Sequence, residues 1–136
     1  MASNRGETSS PPATTQTLAW DGLVADEPVS GVRRQIVNGA SQTVVRYVYA
    51  PGAIFPVHAH PEEQVTVVLR GRIGFDVAGE HVELGPGDVA VIPGGVPHGA
   101  AVVGTEEVET INALSPRRNA HPGGSQSASQ AGGDGR

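Results

Sequence analysis

The sequence predicts an all-β domain, either a sandwich or a barrel of short strands. Glycine and proline recur roughly every eight to twelve residues through the middle of the chain, and the runs between them are rich in valine, isoleucine, threonine and tyrosine. No stretch carries the period of an amphipathic helix. The chain contains no cysteine, which excludes disulfides and thiolate metal sites.

Composition divides the chain into one domain and two tails. Residues 1–15 are mainly serine, threonine, proline and alanine, and residues 119–136 are rich in glycine, serine, glutamine and alanine. Neither segment can bury enough apolar surface to offset the entropy lost on ordering, so both are expected to be mobile. Residues 16–118 then form one folded domain of ordinary size.

The charge pattern excludes some classes of partner. The 9 basic and 14 acidic residues give a net charge of −5, and no basic stripe is present, so nucleic acid is not expected as a partner. The first residues lack the pattern of a signal peptide, and no apolar run approaches the ~20 residues that span a bilayer. We therefore expect a cytoplasmic protein with no membrane contact.

The strands are predicted in order along the chain. The first, Val32–Val37, ends at the turn dipeptide Asn38-Gly39. Residues 42–50 alternate and place two sets of side chains on opposite faces, one being Val44, Arg46 and Val48 and the other Val45, Tyr47 and Tyr49. The later predicted strands are 65–70, a hairpin of 72–77 and 81–84, a buried strand at 88–92, and two closing strands at 99–103 and 107–114.

Residues 52–71 contain a candidate metal site. His58 and His60 are two residues apart, and in a β-strand such side chains point to the same face. Two adjacent imidazoles can supply two nitrogen ligands to a divalent metal ion. Gln64 follows after a bend at Pro61 and can add a carbonyl oxygen, and a third imidazole occurs at His98.

Other residues near these positions compete for the same role. Glu62 and Glu63 are alternative oxygen ligands, although strand alternation turns Glu63 away if Gln64 faces inward. His81 in the hairpin and His121 in the tail are expected to face solvent. The alternative to a metal site is a barrel that has lost its metal.

Two spaced motifs resemble those of the cupins, a superfamily of RmlC-like β-barrels. The pattern G-x5-H-x-H-x3,4-E-x6-G is matched by Gly52, His58, His60, Gln64 and Gly71, with glutamine in place of glutamate. The pattern G-x5-P-x-G-x2-H-x3-N is matched by Gly87, Pro93, Gly95 and His98, with Val102 in place of asparagine. The resemblance covers about residues 28–118. The chain is similar to the small cupins that consist of a single domain.

The resemblance implies a jelly-roll β-barrel that holds one divalent metal ion. The implied ligands are His58, His60, Gln64 and His98, and the implied metals are Zn²⁺, Ni²⁺, Mn²⁺ or Fe²⁺, with room left for water or substrate. Because all four ligands would be neutral, the full 2+ charge would stay uncompensated, which favours Lewis-acid chemistry over redox chemistry.

The resemblance also implies an enzyme acting on a small molecule. The leading hypothesis is a metal-dependent cyclase or isomerase of a small oxygen-rich metabolite, similar to the polyketide cyclases of actinobacteria. Cupins that open unsaturated uronates are also similar, and they carry the pattern Asp-x-Phe-x-Pro-x-Arg, whereas this chain has Asn112, Leu114, Pro116 and Arg118. Asn112 cannot act as a general base, so cyclisation ranks first. Two further hypotheses are an Fe²⁺ dioxygenase and a non-catalytic protein that binds a small molecule.

Several polar residues are candidates for the cavity lining. Tyr47, Tyr49 and Arg118 are the candidate catalytic residues, and a tyrosine or a metal-activated water could serve as the base. The remaining candidates for the lining are Arg46, Arg70, Thr110 and Asn112, and for each of the seven a surface or core position is the alternative.

A homodimer is also expected. Val65, Val67 and Leu69 form an apolar row that faces away from Gln64. This row either packs against a neighbouring sheet or forms the interface with a second copy of the chain.

Overall fold

A computed structural model describes residues 14–119, which form ten β-strands and a short 3-10 helix at Trp20–Gly22. The strands are β1 Asp26–Val29, β2 Val32–Asn38, β3 Thr43–Tyr49, β4 Ile54–His58, β5 Glu63–Arg70, β6 Arg72–Val77, β7 Glu80–Leu84, β8 Val89–Ile92, β9 His98–Val103 and β10 Val108–Ser115. The predicted tails fall almost entirely outside the described residues, as does His121. Within residues 14–119 no helix is long and apolar enough to cross a membrane.

The strands form two antiparallel sheets that enclose one core. The six-stranded sheet has the order β1-β2-β3-β10-β5-β8, and the four-stranded sheet has the order β4-β9-β6-β7. Both sheets contribute to the buried cluster, which includes Val32, Tyr49, Val68, Ile73, Phe75, Ile92 and Val108. Burying each large apolar side chain contributes about 1.5–3 kcal/mol, so this cluster is the main favourable term in folding. The arrangement is the predicted jelly-roll barrel.

Side-chain alternation on the central strands separates an inner from an outer face, and for residues 42–50 the sequence did not say which was which. On β3, Val45 and Tyr49 are buried in the barrel, whereas Val44 and Val48 are only half-buried on the outer face. On β5, Gln64, Thr66 and Val68 are buried, and the side chains between them face outward. Because side chains alternate with a period of two, Thr66 and Val68 face inward with Gln64.

Three local features differ from the sequence predictions. The strand predicted at 88–92 as buried is β8, which pairs only with β5 and lies at the edge of its sheet, so Val89 and Val91 are more than half exposed. An apolar run is typical of a buried strand, but edge position depends on strand order. The short strand β1 was not predicted because Pro28 interrupts it. The strand that carries His58 ends at that residue, so His60 lies in the following loop.

Candidate metal centre

Neighbouring strands of the four-stranded sheet bring three histidines together. His58 ends β4, His98 begins β9, and the two are register partners with ring centroids 4.5 Å apart. His60 lies two residues beyond β4, and its ring centroid is 4.8 Å from that of His98. One ligand nitrogen from each of the three lies within 4.8 Å of the other two, so these residues can hold a metal ion.

A glycine turn holds the His60 loop beside β9. The backbone N–H of Gly95 donates a hydrogen bond to the carbonyl oxygen of His60 over 2.7 Å. A Cβ atom at Gly94 would overlap the carbonyl oxygen of Pro61, so only glycine allows this approach of the two loops. The turn therefore fixes the position of His60 even though strand geometry does not.

All three imidazoles have the same tautomer. The Nδ1 atoms of His58, His60 and His98 lie 2.9, 3.0 and 2.9 Å from the backbone carbonyl oxygens of Pro56, Glu62 and Val96, respectively. Because a carbonyl oxygen can only accept, each Nδ1 carries the proton and each Nε2 keeps a lone pair.

The donor set fits a divalent cation. The Nε2 atom of His98 is buried and has no hydrogen-bond partner among the described residues. An unpaired buried acceptor costs free energy, and a cation among the three Nε2 atoms would satisfy it. The backbone carbonyls on the Nδ1 side are the usual supports of metal-binding histidines.

Burial keeps the three imidazoles neutral. Loss of hydration lowers the pKa of His58 to about 4, and the neighbouring His98, His60 and Arg118 add to the shift. The pKa values of His60 and His98 are lowered as well, mainly by burial. Metal binding needs the unprotonated ring, so the site stays competent below neutral pH.

Gln64 places an oxygen beside the histidines. Its side chain is buried on the inner face of β5, and Oε1 lies 3.1 Å from Nε2 of His60. Because this Nε2 is unprotonated, both atoms carry lone pairs and the contact is not a hydrogen bond. Of the two competing acidic residues, Glu63 is exposed, and the carboxylate of Glu62 lies on the Nδ1 side of His60, 3.5 Å away.

The histidines and Gln64 line one side of a cavity of about 230 Å³. Tyr47, Tyr49 and Arg118 line it as well, as the sequence predicted. The rest of the wall is mostly apolar and includes Val29, Val45, Phe55, Phe75, Ala100 and Leu114. A cavity whose wall combines apolar side chains with convergent polar groups is typical of a small-molecule site.

Two guanidinium groups border the cavity, and only Arg118 was predicted. Arg34 is 3% exposed and makes two hydrogen bonds to Asp26, of 2.7 and 3.0 Å. Alternation from the buried Val32 would have indicated its inward direction. The Arg118 side chain is 12% exposed, and its Nε lies 3.5 Å from Glu62 Oε1.

Three predicted lining residues lie elsewhere. Arg46 and Arg70 are on the outer face of the six-stranded sheet, where they pair with Glu109 and Glu107 at 2.7 and 2.9 Å. Arg46 alternates with Val45 and Tyr47, which face inward, so it cannot also face inward. Thr110 is fully buried but does not line the cavity.

The tyrosine hydroxyls are protonated at neutral pH. Burial raises the pKa of Tyr47, and the positive charges of Arg34 and Arg118 offset part of that shift. Burial also raises the pKa of Tyr49, with a contribution from Tyr47. In the metal-free protein both hydroxyls therefore carry their protons and can donate hydrogen bonds.

A family model for the cupin domain matches residues 45–114, which cover β4 to β9 and most of β3 and β10. The chain belongs to the cupin family. The matched segment contains all three histidines, Gln64 and both tyrosines of the cavity. His81, predicted to face solvent, is 57% exposed on the outside of this cupin barrel.

Solved cupin structures resemble this cupin over most of their length. KdgF from Halomonas sp. is 27% identical with a TM-score of 0.71, and the match covers 78% of this chain and 97% of KdgF. An RmlC-like cupin from Shewanella frigidimarina is 26% identical with a TM-score of 0.70, and the match covers 78% and 95% of the two chains.

Curated relatives match over shorter segments. The dimethylsulfoniopropionate lyase DddQ of Ruegeria pomeroyi is 40% identical over 62 residues, which are 43% of this cupin. Across the curated relatives that it matches, the chain spans 31 to 39% of their length. Cupins with enzymatic activity are thus among the proteins that resemble this chain.

Proposed function

We propose that this cupin is a metal-dependent enzyme that cyclises or isomerises a small oxygen-rich metabolite without redox chemistry. One divalent ion, Zn²⁺, Ni²⁺, Mn²⁺ or Fe²⁺, would be held by Nε2 of His58, His60 and His98 and by Oε1 of Gln64. The observation that carries the proposal is the convergence of three Nε2 lone pairs, one of them buried and unpaired, at the wall of a cavity.

The charge of the ligand set favours Lewis-acid chemistry. A bound divalent ion with four neutral ligands would polarise a carbonyl group and stabilise an enolate. The nearest carboxylate to the histidines, that of Glu62, is on the far side of the His60 ring and close to Arg118. It therefore offsets the arginine charge rather than serving as a fifth ligand.

The cavity favours a small anionic substrate. Arg118 lies where its guanidinium can bind a carboxylate or enolate oxygen, and planar guanidinium groups suit such bidentate contacts. The volume of about 230 Å³ is below the usual range for drug-sized ligands, which favours an acyclic or single-ring molecule. Tyr47, whose hydroxyl interacts with Arg34 and Arg118, would donate a hydrogen bond or a proton to the reacting group.

Within this class, aldol-type ring closure of a small polyketide is our leading specific reaction. Elimination from a small carboxylate is the second candidate, supported by the similarity to DddQ, whose name denotes a lyase of dimethylsulfoniopropionate. Opening of unsaturated uronates has less support, because both amide protons of Asn112 are engaged in buried hydrogen bonds and this side chain cannot abstract a proton.

A substrate screen with defined metals tests the proposal. The metal-free protein is loaded with each of the four metals and incubated with β-dicarbonyl acids, β-substituted propionates and unsaturated uronates, and turnover is followed by proton NMR. We expect turnover with a member of the first two groups and a loss of at least about 10²-fold in His58→Ala. Substrate turnover coupled to oxygen uptake would support the dioxygenase hypothesis, and ligand binding without turnover would support a binding protein.

Variants of the cavity residues assign their roles. Arg118→Ala should raise KM more than it lowers kcat if the guanidinium binds the substrate carboxylate. Comparing Tyr47→Phe with Tyr49→Phe shows which hydroxyl takes part, because each change removes a single oxygen from the wall. Equal and small effects of both variants would exclude tyrosine as the proton donor.

We also propose that the chain forms a homodimer through the outer face of β5 and β8. Val65 and Val67 on β5 pair in register with Val91 and Val89 on β8. Leu69 continues the row, and Leu69, Val89 and Val91 are all about half exposed. A second copy of the same face would cover this apolar surface and the free edge of β8 at once. The cytoplasmic location stays a prediction.

A further inference from the structure

A buried polar cluster lies behind Gln64, on the side away from the histidines. Gln64, Thr66, Thr110 and Asn112 are all less than 9% exposed, and the first two are on β5 while the other two are on the adjacent β10. Buried polar groups need partners of the correct donor and acceptor type. The donor and acceptor of each hydrogen bond in this cluster can therefore be assigned, and the assignment gives the orientation of the Gln64 amide.

A backbone carbonyl fixes the orientation of the Asn112 amide, and this orientation decides the donors and acceptors in the rest of the cluster. Asn112 Nδ2 lies 3.1 Å from the carbonyl oxygen of Val45, which can only accept. The other Nδ2 proton is directed to Thr110 Oγ1 at 2.9 Å. Both donors of Asn112 are thus used, and its oxygen faces the other two members of the cluster.

The Thr66 hydroxyl, which donates to Asn112, fixes which group of the Gln64 amide can face it. Thr66 Oγ1 lies 2.7 Å from Asn112 Oδ1, so the single hydroxyl proton is donated there. Toward Gln64 the hydroxyl then offers only a lone pair, at 2.9 Å from Nε2, and Asn112 Oδ1 is a second acceptor at 3.3 Å. Gln64 must place its amino group on this side, which leaves its oxygen toward the histidines.

We propose that Asn112, acting partly through Thr66, is a positioning residue that orients the Gln64 amide with its oxygen toward the metal centre. The proposal rests on the metal site of the proposed function. A carboxylate at position 64 would place an oxygen against Asn112 Oδ1 and compete with it for the single Thr66 hydroxyl proton, so the cluster favours glutamine over glutamate. The neutral ligand set is then a consequence of the hydrogen bonds that Thr66 on β5 and Asn112 on β10 make with the side chain at position 64.

A thermodynamic cycle on Co²⁺ affinity tests the proposal. Thr66→Val keeps the side-chain shape and removes the hydroxyl, and Thr66→Ser is the matched control that keeps it. We expect Thr66→Val and Asn112→Leu to weaken Co²⁺ binding by about 10-fold or more and to change the visible Co²⁺ spectrum. Thr66→Ser should stay within about twofold of the wild type. In a Gln64→Ala background, Thr66→Val and Asn112→Leu should have no further effect.

The outcomes separate this proposal from the metal site itself. If Thr66→Val has the same effect with Gln64 present as in the Gln64→Ala background, the positioning role alone is overturned. The same holds if Thr66→Val has no effect where Gln64→Ala weakens binding. A wild-type chain that binds no Co²⁺ would overturn both proposals. Urea unfolding of every variant identifies any that does not fold.

Proton NMR of the metal-free wild type gives a second readout that needs no variant. The side-chain amide protons of Gln64 should show cross-relaxation to the side-chain protons of Thr66. Cross-relaxation of these protons to the His60 ring without contact to Thr66 would show the opposite amide orientation and overturn the proposal.

Discussion

His58 and His98 face each other as register partners on β4 and β9, with ring centroids 4.5 Å apart, although forty residues separate them in the chain. Each ring donates its Nδ1 proton to a carbonyl two residues earlier, so the pair presents two lone pairs to the cavity. The candidate metal centre thus depends on the pairing of these two strands. It follows that metal binding and stability of the barrel are coupled.

Metal binding should raise the thermal stability of the wild type. At a metal concentration about 100 times the dissociation constant, the gain is about 2.7 kcal/mol, which corresponds to a rise in Tm of roughly 10 °C. Differential scanning fluorimetry with and without a chelator measures this shift. His98→Ala should lose it because a ligand is removed, whereas His81→Ala on the barrel exterior should keep it. An equal shift in both variants would exclude His98 as a ligand.

The metal-free protein should lose stability as the pH falls below neutral. The folded-state pKa of His58 is about 4 against an ordinary value of 6.5, so between these values the unfolded chain binds more protons than the folded one. The free energy of unfolding is therefore unaffected by this group above pH 6.5 and decreases as the pH falls toward 4.

Urea unfolding across this pH range measures the effect. His58→Gln removes one of the three titrating rings and should flatten the dependence. A variant with the same slope as the wild type would contradict the assignment to His58.

Loss of Asp26 should destabilise the barrel strongly. The ion pair of Arg34 and Asp26 is buried, with side-chain exposures of 3% and 8%. Removing the acid in Asp26→Ala leaves a buried cation without its carboxylate, which costs about 3–5 kcal/mol. The exposed pair of Arg70 and Glu107 is the matched control, and Glu107→Ala should cost no more than about 1 kcal/mol. Urea midpoints compare the two, and similar losses would contradict the difference in burial.

A charge on the outer face of β8 should dissociate the proposed dimer. Val91 is 60% exposed on β8 and pairs in register with Val65, and Val91→Asp would place a carboxylate in the proposed interface. Light scattering at micromolar protein concentration should show a dimer for the wild type and a monomer for this variant. Val24→Asp is the control, because Val24 is 87% exposed and lies outside this face. A monomeric wild type would exclude the dimer.

Much of the barrel and the candidate site could be predicted from local pattern. Alternation placed Val45 and Tyr49 on the face opposite Val44 and Val48, because residue parity is a property of the strand itself. The status of β8 as an edge strand could not be predicted, since edge position depends on which strands pair. For Arg34, alternation could indicate an inward direction, but its place beside the cavity residue Tyr47 depends on the pairing of β2 with β3.

Sequence alone determined the type of fold, the placement of Glu63 and Gln64 on opposite faces of one strand, and the three histidines that could serve as ligands, because spacing and parity are local properties. Tertiary structure decided the convergence of His60 with the other two rings, through a glycine turn that approaches Pro61. It also decided the orientation of the Gln64 amide, through Asn112 on another strand. Both depend on contacts between distant segments, and the direction of a hydrogen bond is defined only when donor and acceptor have been brought together.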